Sequence, residues 1–484
     1  MNHTLISHFL HKLYLLSKNY TIIKGENQLN PKFLTLDDFK RSLQTYSLNI
    51  SVIGIGRIGL PTALSFAHSG LNTTGVDINT KLVTMINSGD FPLKDEPGYD
   101  VIFNAVNNKQ FFATTDIKST LEQTDVVLLS LPTPMDDANI PDYAALKSVG
   151  KQLHDLMKDG TLVIVESTVE PSFIETELIP IIEGSDKKFL VDKNFLIGVC
   201  PETANPGEIL KDFKKLPRLV GATSEITTNI ITELYNHVFP VELLKIPDCK
   251  SANAVKLTTN VFRDINIAFI NELSLLFEKL GIDTFKVLEA AKTKYNFQVH
   301  YPGAGVGGPC LPVNSYQMLN IAKKHSNNFK IVEISRQINE YMPDHVLELI
   351  EDSFRSIKKS IHNSTIVILG ISYKPNVKDI QLSPAEKIIE KLRQRKAIIK
   401  VYDPYYKSEN VFGLKVESDL SSVITQSDAV VLVTAHDEFR DIEPSFLTSK
   451  MNKTPIIVDT RGLIDYSAAK KAGAIFRGLG RVIH

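Results

Sequence analysis

The 484-residue chain is 43% hydrophobic and 23% charged, with a formal net charge of −1. That length allows two to four domains with sizeable cores, and the balanced charge gives no footing for nucleic acid or an anionic membrane surface. Three widely spaced cysteines (Cys200, Cys249, Cys310) make neither a disulfide framework nor a zinc-ligand pattern, and no apolar run reaches the length of a membrane span.

A reducing cytoplasm is therefore the expected location, with no metal site. Residues 1–48 read as an N-terminal appendage of unknown role. Ile6–Leu16 is amphipathic and Leu34–Leu43 is mixed polar, without the apolar core or cleavage site of a signal peptide.

Asn49–Ile55 is a short run rich in β-branched residues, expected to be a buried strand. It leads into Gly54-Ile55-Gly56-Arg57-Ile58-Gly59, then a helical stretch with Pro61 in its first turn, then the strand Asn72–Val76 and Asp77. A strand, GxGxxG, a helix, a strand and an acid 18 residues after Gly59 form a dinucleotide fingerprint. The glycines let a pyrophosphate approach backbone N–H groups at the helix N-terminus. A carboxylate at Asp77 accepts from ribose hydroxyls and repels a 2′-phosphate, which favours NAD over NADP. GxGxxG alone is a weak signal; the strand–helix–strand context makes it a strong one.

The alternation continues. Thr124–Leu131 ends at Pro132-Thr133-Pro134, Thr161–Glu166 ends at Ser167-Thr168, and Phe195–Val199 ends at Cys200-Pro201-Glu202. In a parallel sheet ligands bind beyond the carboxyl ends of the strands, which places Thr133, Thr168 and Glu202 near the nicotinamide. Each alone is an ordinary turn or capping residue; together they suit a site lining.

Lys250–Leu280 reads as one long helix stopped by Gly281. Lys256, Asn260 and Arg263 fall at i, i+4 and i+7 on one face, which on most helices is simply solvated. Asn260 and Asn271 amid apolar neighbours suggest a helix covered on most sides. Next comes His300–Tyr316, HYPGAGVGGPCLPVNSY, where four glycines and three prolines surround Cys310. Such a segment is a fixed loop that leaves room for a bulky ligand; a lone buried structural thiol is the plainer alternative.

A second series of strands follows. Ile366–Leu369 enters Gly370-Ile371-Ser372-Tyr373-Lys374, Ala397–Tyr402 ends at Asp403, Asp428–Val433 at Thr434, and Pro455–Val458 at Asp459-Thr460-Arg461. It lacks GxGxxG and suits a nucleotide other than a dinucleotide. The expected fold is α/β, with two doubly wound Rossmann-like domains joined by an all-α region carrying a long helix. The expected limits are 49–240 for NAD binding, 241–340 for the helical part with Cys310, and 341–484 for the second α/β domain.

GIGRIGLPTA, SLPTP, ESTVEP, CPETANPGE, KLTTNVFRDINIAFINE, PGAGVGGPCLP, GISYKPNVKD and VDTRG resemble the motifs of the UDP-glucose/GDP-mannose dehydrogenase family over about residues 49–482. Among its branches the chain looks most like the UDP-N-acetylmannosamine dehydrogenases. The resemblance implies NAD-dependent four-electron oxidation of a sugar C6 alcohol to the carboxylate, on a UDP-sugar such as UDP-N-acetylmannosamine, with UDP-glucose and UDP-N-acetylglucosamine as alternatives. It implies Cys310 as nucleophile, Lys256 as the facing cation, and Glu202 as the group managing water. Asn260, Asn314 and Thr168 complete the catalytic set.

It further implies that Gly54, Gly56, Arg57, Ile58, Gly59, Asp77, Thr133 and Thr168 line NAD. Glu202, Thr203, Lys256, Asn260, Arg263, Lys294, Gly307, Tyr373, Lys374 and Arg461 would meet the substrate, Lys294 reaching a neighbouring subunit's site in some family members. The implied partner is a second copy of the chain, through the central helices.

The chemistry agrees with those roles. A thiolate adding to the intermediate aldehyde makes a thiohemiacetal, loss of hydride leaves a thioester, and water releases the acid. An ammonium beside the carbon stabilises the oxyanion. Three positions depart from the family: Asn314 stands where Asp is usual, Gln381 where Arg is frequent, and Thr203 where Arg follows Pro-Glu. Two other readings compete, a two-electron 3-hydroxyacid dehydrogenase, which needs neither the cysteine nor the second α/β domain, and a non-catalytic nucleotide-sugar sensor.

Overall fold

The computed structural model describes residues 35–481. The predicted Ile6–Leu16 segment lies outside them. Leu36–Gln44 is a helix capped by Thr35, whose Oγ1 accepts from the Asp38 N–H, and it buries Phe39 and Leu43 in the core of the first domain.

That domain is built on one eight-stranded sheet: β1 (Asn49–Ile53), β2 (Asn72–Val76), β3 (Phe111–Thr114), β4 (Val126–Leu129), β5 (Thr161–Val165), β6 (Phe195–Val199), β7 (Arg218–Ala222) and β8 (Leu243–Lys245). The order is β3-β2-β1-β4-β5-β6-β7-β8, parallel except where β6 meets β7. β4 and β5 are buried at every residue, because helices cover both faces. The order reverses between β1 and β4, and a crevice for a ligand opens there.

The second sheet holds β9 (Thr365–Leu369), β10 (Ile398–Tyr402), β11 (Asn410–Val411), β12 (Leu414–Glu417), β13 (Ala429–Leu432), β14 (Ile456–Asp459) and β15 (Ile475–Gly478). Its order is β11-β12-β10-β9-β13-β14-β15. Apart from the β11–β12 hairpin it is parallel and repeats the first sheet's winding, with β9 beside the switch as β1 is. Both doubly wound sheets expected from the sequence are present. β3, β7, β8, β11, β12 and β15 were not anticipated. They are short strands toward the sheet margins, and several carry polar or glycine residues that dilute the apolar signal.

Between the sheets runs a 32-residue helix, Cys249–Leu280. Asp248 caps its start by accepting from the Ser251 N–H at 2.6 Å, and Gly281 ends it at φ +68°. The helices Leu311–Lys324 and Lys330–Ser356 pack on it. A buried ion pair joins them: Arg336 donates to Asp264 at 3.0 Å, while Ser315 Oγ and Asn339 Nδ2 donate to the same carboxylate at 2.7 and 2.8 Å. The polar residues of the long helix thus face partner helices as well as solvent.

Candidate active site

The β1 turn has the close packing a dinucleotide demands. Gly54 is at φ +89°, and a Cβ on Gly59 would lie 1.8 Å from the Gly54 carbonyl oxygen. Gly56 faces open space, so the backbone N–H groups behind it are approachable. Asp77, at the end of β2, accepts from the N–H of Ile55 at 3.1 Å and of Asn79 at 2.9 Å, which fixes its carboxylate beside the turn. This cradle fits NAD. Thr133 Oγ1 donates to the Thr168 carbonyl at 3.0 Å and joins the ends of β4 and β5. Arg57 reaches across to Asp95 at 2.8 Å, Glu96 at 3.2 Å and the Lys378 carbonyl at 3.0 Å, linking the dinucleotide turn to the second α/β domain, the third domain along the chain.

Cys310 is an exposed thiol at the N-cap of the Leu311–Lys324 helix. The loop before it is pinned from two sides. Gly303 N donates to Asn271 Oδ1 of the long helix at 3.0 Å, and Gly308 N donates to the Gln381 carbonyl at 2.8 Å. Gly308 sits at φ +87° under the Tyr373 ring, and a Cβ on Gly307 would lie 2.4 Å from the Leu382 carbonyl oxygen, so only glycines fit. Burial raises the pKa of Tyr373, which lies close to Cys310. Asn260 Nδ2 donates to Asn314 Oδ1, which ties the long helix to the cysteine helix. Lys256 is 8% exposed and has no ion-pair partner among the described residues, which leaves a buried ammonium for an anion.

The third domain closes over this centre. Arg461 lies against Gly303, whose added Cβ would touch its guanidinium at 2.3 Å; burial lowers its pKa against the pull of Asp459. Lys374 Nζ donates to the Pro206 carbonyl at 2.9 Å, and burial again lowers its pKa. Arg263 is exposed, within electrostatic reach of His300, Tyr373 and Lys374. Lys294 is exposed on the outer surface beyond the Thr284–Ala291 helix. A cavity of about 680 Å³ between the first and third domains is lined by Asp95, Glu208, Lys374, Tyr405 and Asp437, but by neither Cys310 nor Lys256.

Glu202 points into the first domain. Its Oε2 pairs with Arg218 at 2.8 Å, and its Oε1 accepts from the N–H of Thr203 at 2.7 Å and of Ala204 at 2.6 Å. Arg218 is 2% exposed and lies over the rings of Phe239 (4.0 Å) and Phe213 (4.3 Å). Beside them Tyr235 donates to Glu166 at 2.7 Å. Burial, then the Glu202 charge, pushes the Glu166 carboxyl from its ordinary 4.5 up to about 7; burial, against Arg218 and helped by Glu166, pushes the Cys200 thiol up to about 12.

The folded protein therefore holds the Glu166 proton more tightly than the unfolded chain does. The resulting stability is fully present below pH 4.5 and is lost as pH rises through about 7. Its loss amounts to about 3 kcal/mol at most. Glu166→Gln is expected to remove this component, so urea midpoints measured at pH 5 and pH 8 converge in the variant relative to the wild type.

The three departures have distinct surroundings. Asn314 is buried between Asn260 and Gln317, the Gln381 side chain is exposed while its carbonyl holds Gly308, and Thr203 supplies an N–H to Glu202. Sequence reasoning did not single out Tyr143, Arg218, Asp264, Gln317 or Arg336. None lies in a glycine-rich turn or at the end of a predicted strand, so spacing offered no signal for them.

Family models match along the chain: the UDP-glucose/GDP-mannose dehydrogenase family NAD binding domain over residues 48–239, its central domain over 250–341 and its UDP binding domain over 367–466. The chain is 32% identical over 440 residues to a UDP-N-acetyl-D-mannosamine dehydrogenase of Pyrococcus horikoshii, covering 90% of this chain and 99% of that one. It is 29% identical to an NDP-N-acetyl-D-galactosaminuronic acid dehydrogenase of Ralstonia nicotianae, covering 86% and 96%. The solved structure of the UDP-D-ManNAc dehydrogenase from Pyrococcus horikoshii superposes with a TM-score of 0.82 at 32% identity, covering 90% of this chain and 99% of that one. That of an NDP-N-acetyl-D-galactosaminuronic acid dehydrogenase from Methanosarcina mazei Go1 gives 0.77 at 27% identity, covering 92% and 98%. With these matches over both sheets and the helices between them, the chain belongs to the UDP-glucose/GDP-mannose dehydrogenase family and is an NAD-dependent nucleotide-sugar dehydrogenase.

Proposed function

We propose that the protein oxidises the C6 alcohol of a UDP-N-acetylhexosamine, UDP-N-acetylmannosamine first, to the uronic acid through a covalent intermediate on Cys310. One observation carries this reading. An exposed thiol heads a helix between the dinucleotide cradle and the UDP-binding domain, on a loop pinned to both the long helix and the third domain. Relatives named for N-acetylated sugars support the choice of substrate.

Bound NAD supplies the hydride acceptor, one molecule for each of the two oxidations. Cys310 adds to the aldehyde carbon, and its helix N-terminus stabilises the negative charge that develops there. Lys256 is the buried cation for the oxyanion. Water then cleaves the thioester. For Glu202 to take the water's proton, its carboxylate would exchange one of its present partners for that water. Arg461 and Lys374 supply charge for the diphosphate, while Tyr373 packs the loop around the sugar. Incubation with NAD and a panel of UDP-sugars tests the proposal. Acid product with about two NADH per sugar is expected, as a four-electron oxidation requires, and the preferred sugar is read directly. Binding without NADH from any sugar would favour the sensor reading.

A second copy of the chain is the partner that the exposed apolar face supports. Val255, Phe262, Phe269 and Leu276 recur every seven residues along the long helix at 37%, 52%, 51% and 50% exposure, with Ile331, Ile334 and Tyr341 on the neighbouring helix. Phe262→Glu together with Phe269→Glu is expected to shift the sedimentation equilibrium mass to that of one chain. No helix among the described residues is long and apolar enough to cross a membrane, and a cytoplasmic location accords with the use of NAD and a UDP-sugar.

A further inference from the structure

A row of side-chain amides crosses the active site from the NAD-binding domain to the long helix. Gln317 Nε2 donates to the Tyr143 hydroxyl at 3.1 Å and to the Thr168 carbonyl at 3.5 Å. Asn314 Nδ2 donates to Gln317 Oε1 at 2.8 Å, and Asn260 Nδ2 donates to Asn314 Oδ1. Gln317 is 0% exposed and Asn314 is 3% exposed, so water does not substitute for these partners.

One group sets the polarity of the whole row. A backbone carbonyl can only accept. The Thr168 carbonyl therefore calls for Nε2 of Gln317 on its side, which turns Oε1 toward Asn314. Asn314 must then donate to Gln317 and show Oδ1 to Asn260. Asn260 answers with Nδ2 and keeps Oδ1, which has no hydrogen bond among the described residues. The Tyr143 hydroxyl accepts from the Glu170 N–H at 3.1 Å and meets Gln317 Nε2 as a further acceptor; a hydroxyl can donate as well as accept, so the Thr168 carbonyl alone fixes the direction.

We infer that Gln317 is a positioning residue: it orients the Asn314 amide so that Asn260 offers a carbonyl oxygen, not an NH₂ group, to the reacting sugar. This rests on the reading of Cys310, Lys256 and Asn260 as the reaction centre. The atom such an oxygen recognises is a hydrogen-bond donor, the hydroxyl of the alcohol being oxidised. Position 314 must donate at one end and accept at the other. Asparagine does both. Aspartate cannot, because its carboxylate would face Gln317 Oε1 with two acceptors in contact and no proton between them. Asn314 and Gln317 are thus a matched pair, and Asn314 is not a weakened form of the family's usual Asp.

The test compares the full-length wild type with Asn314→Asp, Gln317→Leu and the double variant, using NAD and the best UDP-sugar of the panel. Each single change is expected to lower kcat by about tenfold or more, the scale of one unsatisfied buried polar group, with KM for NAD little changed. The double variant is expected to regain about tenfold over Asn314→Asp, because leucine removes the opposing acceptor. A residue that only fills space would not produce that rescue. Wild-type kcat in Asn314→Asp, or a double variant no better than it, overturns the inference. Should Asn314→Asp fail to fold, Gln317→Glu poses the same conflict at the Thr168 carbonyl; a loss of about tenfold supports the inference and wild-type kcat overturns it. A wild type that reduces no NAD with any UDP-sugar overturns the functional reading instead. Affinity for the UDP-sugar measured by calorimetry then decides, weakened in Asn314→Asp if the inference holds and unchanged if it does not.

Discussion

Cys310→Ala is expected to abolish net acid formation, lowering its rate by about 10³-fold or more, as loss of a covalent nucleophile does elsewhere. The thiol is exposed at a helix N-cap, while Cys200 and Cys249 are wholly buried, so no other cysteine can take over. The NADH formed per sugar consumed should fall from about two to one at most, since the first oxidation needs no sulfur. Intact-mass spectra under turnover should show a sugar adduct on the wild type and none on the variant. Unchanged stoichiometry in Cys310→Ala would refute the covalent route while leaving NAD and UDP-sugar binding intact.

Arg336→Met should be the most destabilising single change in the central helices. Asp264 is 0% exposed, and burial raises its pKa even against Arg336, Ser315 and Asn339. Removing the guanidinium leaves that carboxylate buried with neutral donors only, a loss of about 3–5 kcal/mol. Because the chain has several domains, a single global unfolding energy is a poor readout. Hydrogen exchange across Cys249–Leu280 and Lys330–Ser356 is the direct measurement, and faster exchange there is expected. Asp264→Asn combined with Arg336→Met should recover part of the loss. Ser315 lies on the Cys310 helix and bonds to Asp264, so turnover should fall as well.

How much was legible beforehand differs by residue. The glycines at 54, 56 and 59 and the acid at Asp77 were readable, because a pyrophosphate turn permits few residue types at fixed spacing. The long helix was readable from its start to Gly281, because an apolar face and a terminating glycine are local signals. Cys310 stood out because prolines and glycines exclude helix and strand around it.

Gln317, by contrast, is an unremarkable position on an amphipathic helix until Thr168 and Tyr143 are folded against it from about 150 and 174 residues away. The same holds for Arg218, which only the fold places between Glu202 and two phenylalanine rings. By itself the sequence determined the long helix, the two doubly wound sheets with their central strands, and the cofactor turn, and it singled out Cys310 as the candidate nucleophile, since each follows from backbone constraints within a few residues. Only the tertiary structure decided which polar side chains face one another, which way each amide points, and which ion pairs lie buried. Those depend on partners distant in the chain, whose direction of donation is fixed when a carbonyl or carboxylate arrives from another element.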